Sequence, residues 1–303
     1  MPSLVAASFL LTSDYWDSVI RVSTPIALAA VAATLCSRAG ILFVGVEGVM
    51  LLSSFSAVAG AIWTGSIWAG VAIAAGTGVV VSLLLGVMSM SLRMGDVVAG
   101  LVVDVGALGL GALLLEQLFA GGATIGVHRL GAVWPSFGSP AADVFFHQEP
   151  FVYVAILLAF AVAYFLRTRA GLRLRSSGES VRVARTLGVD LVRLRLSTLA
   201  VSGAVTGLGG AVTGLAIVGS FNTNIIGGRG FIALACVMLG AWSPIGALAA
   251  SVLFGAAYSV QFRVHVGGGW LQLVPYALAL LSLAVLWGRR QGPAEEGRGL
   301  QES

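Results

Sequence analysis

Two carboxylates, Glu47 and Asp104, each lie inside a long apolar segment of this 303-residue chain and are its first candidates for chemistry. An ionisable side chain at membrane depth costs about 2.5 to 3.5 kcal/mol on insertion scales, so each needs a partner or a function. At a rise of about 1.5 Å per residue, both lie about 10 Å from the same end of their segments. They could bind polar groups of a substrate or accept hydrogen bonds at helix crossings. The setting of Glu47 between Gly45 and Gly48 suggests a close helix crossing and favours the structural role there.

A second set of candidates surrounds a glycine- and asparagine-rich turn in the carboxyl-terminal half: Phe221, Asn222, Asn224 and Arg229. Amide groups beside an aromatic ring suit a nucleobase or a sugar, which offers hydrogen-bonding edges and a flat face. The alternative is a simple turn, and the pattern slightly favours it. The glycine pair 227–228 also indicates a helix break, where transporters expose backbone groups to substrate.

Enzymatic and metal-binding patterns are lacking in the sequence. Its three histidines are widely separated, and Cys36 and Cys236 each lie in an apolar run without metal-ligand spacing. No GxxxxGKS or GxxxxGKT motif occurs, and the chain has no lysine with which to form one. We therefore expect no cofactor and no metal in this chain, and any ATP chemistry would come from another protein.

The composition indicates a membrane protein. Hydrophobic residues make up 58% of the chain and charged residues 10%, whereas globular proteins have about half and about a quarter. Because so few charges cannot cover a water-soluble globule, soluble enzymes and disordered proteins are excluded. A spanning helix needs about 20 apolar residues, and we expect an all-α bundle of about nine spans, within a range of eight to ten. The spans are predicted at 19–37, 41–62, 67–92, 97–119, 150–166, 197–219, 225–242, 246–262 and 270–287.

The arginines predict the orientation of the bundle. Eight of the 17 lie in the loop 167–196, which is therefore expected to be cytoplasmic. Alternating the spans from that loop places 13 arginines inside and four outside, namely Arg21, Arg129, Arg229 and Arg263. The amino terminus then lies outside, unless residues 3–12 contribute a tenth span. The polar tail 292–303 is expected to be disordered and cytoplasmic, following a transmembrane domain over 1–291.

A short amphipathic helix is predicted at 180–187 within the cytoplasmic loop. Ser177 or Ser180 can cap its amides, Glu179 lies near its positive end, and Gly188 can terminate it. Three apolar residues share one face: Val181, Ala184 and Leu187. This helix could lie on lipid headgroups or insert its apolar face into a groove of a soluble partner.

Five blocks of the sequence resemble importer permeases of the ATP-binding cassette (ABC) class, in the branch serving ribose, branched-chain amino acids and nucleosides. The segment 175–195 resembles their cytoplasmic coupling segment, and GVEGVM at 45–50 resembles a second signature block. The others are RMGDVVAGLVVDVGALGLG at 93–111, GRGFIALA at 228–235 with GAWSPIGALAASVLFG at 240–255, and LVPY at 273–276. The likeness is greatest to nucleoside permeases that work with a basic-membrane-protein type lipoprotein. Asp104 departs from the resemblance, which has asparagine there.

This resemblance implies a transport subunit without enzymatic activity. Its partners would be an ATP-binding subunit that uses ATP and magnesium, a second permease, a substrate-binding lipoprotein and the lipid bilayer, with no nucleic acid. Residues expected to couple to the ATPase are Gly178, Glu179, Val181, Ala184, Leu187 and Gly188. The alternatives are uptake of ribose, other simple sugars or branched-chain amino acids, or an ion-coupled secondary transporter that uses Glu47 and Asp104. An intramembrane enzyme is not indicated, because the sequence lacks a nucleophile and a base at suitable spacing.

Overall fold

The computed structural model describes residues 13–92, 94–119, 148–186, 188–263, 277 and 292–297. Within these residues the regular structure is helical throughout, which confirms the all-α prediction. The helices are α1 (Ser13–Arg38), α2 (Val46–Thr64), α3 (Ile67–Met90), α4 (Asp96–Leu118), α5 (Pro150–Phe165), α6 (Arg169–Glu179), α7 (Val181–Thr186), α8 (Leu191–Ala211), α9 (Arg229–Leu239) and α10 (Pro244–Arg263). A π-helix, Val212–Val218, continues α8.

The length and apolar composition of the helices support a multi-pass membrane protein. Five helices are long and apolar enough to cross a bilayer: α1, α2, α3, α4, and α8 together with the π-helix. The pair α5 and α6, bent by 80° at its junction, could form a sixth. The predicted span 270–287, apart from Ala277, and the candidate segment 3–12 lie outside the described residues.

Helix α1 lies at the centre of the bundle. Of its most apolar window, 89% is buried inside the protein, compared with 33% for α4. Small and medium apolar residues cover all faces of α1 from Ile26 to Cys36, and a helix that is apolar all round is stable only when surrounded. Helices α8 and α10 pack along it.

Close packing of α3 against α8 depends on glycine. A Cβ atom at Gly78 or at Gly203 would collide with the carbonyl oxygen of the other residue, and one at Gly207 would lie 2.5 Å from the Ala74 carbonyl oxygen. Small residues permit such a close approach of helices in lipid, and these three glycines have that role. Gly76, on the same helix as Gly78, does not, because a Cβ atom there would have no neighbour within 4 Å.

Residues 219–242 differ from the predicted seventh span. Helix α9 has eleven residues, which give a length of about 16 Å. Gly227 and Gly228 precede it with φ angles of +59° and +82°, a conformation that side chains other than glycine disfavour, so no helix continues through them. Arg229, predicted to lie outside the membrane, is instead buried in the bundle at the start of α9.

Polar contacts mark two opposite ends of the bundle. At the first, here called the Arg21 end, Arg21 lies 3.6 Å from the buried carboxylate of Glu149, and Gln148 donates to Asp17 at 2.7 Å. These contacts join the amino-terminal ends of α1 and α5. At the opposite end, the Arg38 end, Arg38 donates from Nε to the carbonyl of Trp242 at 2.7 Å.

The start of the predicted disordered tail is ordered at the Arg38 end. Residues 292–297 form a turn in which Glu295 donates its backbone N–H to the Gly178 carbonyl at 2.9 Å. Partners from α6 and from the 240–243 turn thus contact this part of the tail, for which the sequence predicts disorder. Residues 298–303 lie outside the described part of the chain.

Candidate substrate pathway and coupling segment

Glu47, in the first turn of α2, closes the amino-terminal end of α9. Its carboxylate accepts the backbone N–H groups of Gly228 at 2.8 Å and Gly230 at 2.7 Å. These amides lack partners within α9, and a negative charge at this end also interacts favourably with the helix dipole. A Cβ atom at residue 230 would lie 2.7 Å from the Glu47 backbone, so glycine permits the approach. The geometry supports the structural role for Glu47.

Asp104 makes a similar contact with α2. Its Oδ1 atom accepts the backbone N–H of Gly48 at 2.7 Å, in the first turn of that helix. Glu47 and Asp104 therefore lie at matching depth, as their positions in the apolar segments predicted. The other carboxylate oxygen, Oδ2, is buried and has no hydrogen-bond partner among the described residues. Each carboxylate thus holds the start of a helix that begins inside the bundle.

Phe221 lies in an aromatic cluster inside the protein. Its ring centroid is 5.1 Å from that of Phe55, which in turn lies 6.3 Å from that of Phe119, and both pairs meet edge to face. Only 3% of Phe221 is exposed. Such edge-to-face pairs stabilise a helix contact, and this ring is covered in the single chain.

Asn222 and Asn224 lie at the surface of the same turn. The backbone N–H of Asn224 donates to Oδ1 of Asn222 at 3.0 Å, which is the local contact by which asparagine stabilises a turn. Both side chains are exposed. The geometry agrees with the simple-turn alternative and leaves the remaining amide groups at the surface.

Arg229 faces away from the asparagines into the bundle. Its Nη1 atom donates to the Ile225 carbonyl at 3.0 Å, and its guanidinium carbon lies 5.9 Å from the centre of the Tyr258 ring. A guanidinium over an aromatic face is attracted to it, more strongly where water is excluded. The four residues of the predicted turn site therefore do not converge on one cavity within the chain.

A short helix occurs where one was predicted in the arginine-rich segment. Ser180 is extended between α6 and α7, and its hydroxyl lies 3.5 Å from the Val183 amide. Gly188 follows α7 with φ at +73°, while Gly188 and Val189 donate to the carbonyls of Arg185 and Ala184. This is the Schellman arrangement that ends many helices. Both helix boundaries follow the local signals in the sequence.

The predicted docking face of this helix is covered by the chain itself. Val181 and Ala184 have no exposed surface and pack against Leu191, at the start of α8. In the single chain these two residues are therefore covered, because the chain folds back after Gly188, and their role in coupling stays a prediction. Leu187 lies outside the described residues. The exposed residues of α7 are Arg182, Val183, Arg185 and Thr186.

Gly178, another predicted coupling residue, anchors the end of α6. Gly178 is buried, and a Cβ atom there would collide with the Arg38 carbonyl oxygen. Ser177, predicted as a possible cap, lies inside α6 and donates to the Leu174 carbonyl at 2.7 Å. Glu179 is exposed beside them. The end of α6 is thus packed directly on the end of α1.

Asp96 lies in the first turn of α4 and contacts two other segments of the chain. Gly95 occupies the cap position of α4, and the Asp96 carboxylate accepts the Leu42 amide at 3.1 Å and the Ser89 hydroxyl. Only 1% of Asp96 is exposed. It joins the 39–45 loop to the ends of α3 and α4, a contact between distant segments that the local sequence does not indicate.

Comparison with known proteins identifies the family. The family described as branched-chain amino acid transport system, permease component, matches residues 15–286. The nucleoside ABC transporter permease protein NupC of Lactococcus lactis is 33% identical over 301 residues, covering 91% of this chain and 92% of NupC. The guanosine ABC transporter permease protein NupQ of Bacillus subtilis is 29% identical, with coverage of 91% and 92%. The putative glucose ABC transporter permease protein TsgC13 of Haloferax volcanii is 27% identical, with coverage of 82% and 76%.

The family match extends from α1 beyond α10 and includes each helix of the described residues that is long and apolar enough to cross a bilayer. Its relatives are matched along nearly their whole length, so the likeness is not confined to one motif. The chain is a multi-pass protein of the cell membrane, and it belongs to the family of permease components of branched-chain amino acid transport systems.

Proposed function

We propose that this chain is the permease subunit of an ABC importer for nucleosides. The observation that carries the proposal is the match to two permeases named for nucleoside and guanosine transport, which extends over about nine-tenths of the chain. ATP, with magnesium, would be bound and hydrolysed by a separate ATP-binding subunit, and a lipoprotein would deliver the substrate. The permease itself would provide the path through the membrane.

The intramembrane carboxylates favour this mechanism over ion coupling. Glu47 and Asp104 each accept backbone N–H groups at helix starts, at distances of 2.7 to 2.8 Å. A carboxylate that binds and releases an ion during transport would have to break these contacts and leave buried amides without partners, at a cost of about 1 to 3 kcal/mol for each. A structural role for both groups has no such cost.

The bundle is consistent with nine crossings. Between the π-helix and α10, the chain returns from the end of the long α8 segment to the Arg38 end as a turn followed by α9, so this passage counts as one crossing despite its short helix. The segment 270–287 would supply the ninth. We place the Arg38 end in the cytoplasm, because the arginine-rich 167–196 segment lies there.

Exposed tryptophans support a membrane–water interface at the Arg21 end. Trp16, Trp63 and Trp68 are all exposed, and the Trp68 ring lies 6.3 Å from that of Phe151 at the start of α5. These three residues therefore lie near the Arg21 end. Tryptophan concentrates at membrane–water interfaces because its ring is apolar and its N–H is polar. The Arg21 end then faces the outside.

The α6–α7 segment is the proposed contact with the ATPase. Because Val181 and Ala184 are covered, the contact would involve the outward face of α7, with Val183 and the two arginines beside it, Arg182 and Arg185. Glu179 and Gly188, at the two ends of α7, are also exposed and could join it. Gly178 would act indirectly by holding α6 on α1.

The second permease would pack against a face that this chain leaves open. Helix α4 exposes a row of apolar side chains along its length, to lipid or to another subunit: Val97, Val98, Leu101, Val102, Val105, Leu108 and Leu113. Gly106 and Gly109 lie on the same open side, with no atom near a possible Cβ. Small residues among apolar ones permit close helix association in lipid. A pathway between two permeases would then have α4 near its wall.

Uptake by the complete transporter tests the cargo. Proteoliposomes with the permease and its partner subunits should accumulate labelled uridine or guanosine on addition of ATP, and unlabelled nucleosides should block this accumulation. Free ribose, glucose and leucine are the matched competitors. Uptake that ribose or leucine blocks, and that nucleosides leave unchanged, would contradict the nucleoside assignment.

Simple sugars are the second candidate cargo, because the putative glucose permease also matches most of the chain. The exposed amides of Asn222 and Asn224 could bind sugar hydroxyls as well as a base. Accumulation of labelled glucose or ribose without nucleoside competition would favour this alternative.

A further inference from the structure

The segment 292–297, here called the 292–297 brace, joins three other parts of the protein at the Arg38 end. Its first attachment is to α6. The Glu295 backbone N–H donates to the Gly178 carbonyl at 2.9 Å, in the last turn of that helix. Carbonyls in a final helical turn have no partner within the helix, so this bond satisfies a group that would otherwise need water.

The second attachment is to the turn between α9 and α10. The Glu296 carboxylate accepts the indole N–H of Trp242 at 2.8 Å, while Arg38 holds the Trp242 carbonyl from the other side. Trp242 and its neighbour Ala241 have φ angles of +54° and +55°. Residues with side chains adopt this left-handed conformation at a cost, so the surrounding contacts must hold them there.

The third attachment is to the turn that follows α1, at Gly40. A Cβ atom at Gly40 would lie 3.2 Å from Arg195 Nη2, 3.2 Å from the Gly178 Cα and 3.4 Å from the Glu295 Cβ. Elements α1, α6, α8 and the brace therefore meet at one point. Arg195 Nε and Glu295 Oε2 are both buried there without a hydrogen-bond partner among the described residues, and their charges are opposite.

The Glu296 contact requires an acceptor oxygen for the Trp242 indole N–H. Burial raises the pKa of the Glu296 carboxyl above its ordinary value, and the hydrogen bonds from Ser37 and Trp242 and the charge of Arg38 offset part of the rise. A neutral side chain with an acceptor oxygen can also accept the Trp242 indole N–H. Glutamine is such a side chain, and lysine is not.

We propose that the 292–297 brace positions the α6–α7 segment and transmits its movement to α9. The brace holds the end of α6 on one side and Trp242 on the other, and α9 leads from Trp242 to Glu47 and the 219–228 turn. A displacement of α6–α7 by a bound ATPase would thereby reach the middle of the bundle through contacts that are all present in this structure. The inference rests on the proposed function in that α6–α7 is taken as the site of ATPase contact.

Hydrogen exchange of the purified permease tests the brace without any transport assay. Deletion of 292–303 removes the brace, whereas deletion of 298–303 leaves it intact and is the matched control. Amides at 176–180 and 238–243 should exchange about 10-fold faster in the longer deletion and at the wild-type rate in the shorter one. Equal protection of these amides in the two deletions would overturn the proposal.

Two substitutions in the full chain repeat the test if the longer deletion does not fold. Glu296→Lys removes the acceptor and places a cation beside Arg38, and should increase the exchange at 238–243. Glu296→Gln keeps an acceptor for the Trp242 indole and should leave this exchange unchanged. The same result for both substitutions would contradict the proposed Glu296 contact.

Reconstituted transporter separates the coupling role from the cargo. Relative to wild type, Glu296→Lys should lower the number of substrate molecules transported per ATP by about 5-fold or more, while ATP hydrolysis persists. Wild-type protein that hydrolyses ATP but moves no nucleoside would refute the proposed cargo and leave the exchange experiment to decide on the brace. If Glu296→Lys transports as many substrate molecules per ATP as wild type does, the coupling role of the brace is refuted.

Discussion

Gly230 donates its backbone N–H to the Glu47 carboxylate at 2.7 Å, so a side chain from α2 closes the start of α9 across 183 positions of sequence. This contact determines where α9 can begin. It also explains why a short helix follows a pair of left-handed glycines inside an apolar segment. The 219–228 turn is fixed at its far end by Glu47, and any substrate contact in that turn depends on this anchor.

The first prediction concerns this anchor. Glu47→Ala should destabilise the permease by about 2 to 4 kcal/mol, because two partly buried amides at the start of α9 lose a charged acceptor. Glu47→Gln retains one acceptor oxygen and should cost less. Thermal unfolding in detergent would measure both.

Glu116→Ala is the matched control for Glu47→Ala, since Glu116 is an exposed acidic residue of α4. It should unfold at the wild-type temperature. If Glu47→Ala and Glu116→Ala have equal midpoints, the anchor contributes nothing to stability.

The second prediction concerns the crossing of α3 and α8. Gly203→Ala should lower the unfolding temperature and the yield of folded protein, since its new methyl group meets the Gly78 backbone carbonyl and the Ser82 side chain. The backbones must separate to accept it, and overpacking of this kind typically costs about 1 to 3 kcal/mol. Gly76→Ala adds the same methyl group to open space on α3 and should be neutral. A neutral Gly203→Ala would show that the two helices are not in close contact.

The third prediction concerns the two faces of α7. Ala184→Glu buries a carboxylate against Leu191 and should reduce the amount of folded permease, before any question of coupling arises. Val183→Glu places the same charge on the exposed face and should leave folding intact while weakening association with the ATPase. Size-exclusion chromatography of the permease alone and with its ATPase distinguishes the two effects. Full association of the Val183→Glu protein would exclude this face as the contact.

The sequence predicts structure that depends on neighbouring residues better than contacts between distant parts of the chain. The ends of α7 were predictable because Ser180 and Gly188 act on their immediate neighbours. The burial of Val181 and Ala184 was not, because it depends on the direction in which α8 leaves the turn. An amphipathic pattern indicates that the apolar face of a helix will be covered. It does not tell whether another segment of the chain or a partner protein covers it.

Glu47 and Asp104 show the same difference between local prediction and long-range contacts. Counting residues from the ends of apolar segments placed Glu47 and Asp104 at equal depth, since helical rise is constant. The partners of Glu47 lie in a turn about 180 residues away, and no periodicity connects the two. The polar composition of 292–297 predicts disorder, whereas its partners, Gly178 and Trp242, come from distant parts of the chain.

The fourth prediction concerns orientation. In a background with Cys36 and Cys236 replaced, a cysteine at Ser66 should react with a membrane-impermeant maleimide in intact cells, and one at Thr186 should react only after permeabilisation. Both positions are exposed, Ser66 between α2 and α3 at the Arg21 end and Thr186 at the end of α7. The positive-inside distribution of arginine is the physical reason. Reaction at Thr186 in intact cells would reverse the proposed topology.

The last prediction uses Asp104 to separate ATP-driven transport from ion coupling. Asp104→Asn keeps an oxygen for the Gly48 amide, now held at 2.7 Å, and replaces a buried carboxylate that has one oxygen without a partner among the described residues. Because a neutral amide is less costly to bury than a charge, we expect unchanged or increased thermal stability and ATP-dependent uptake close to wild type. Asp104→Ala removes the acceptor and should destabilise α2, which shows that the position matters. An ion-coupled transporter predicts the reverse for asparagine, since the loss of a titratable group would abolish accumulation driven by an ion gradient. Uptake measured with ATP alone and with a proton or sodium gradient alone decides between the two mechanisms.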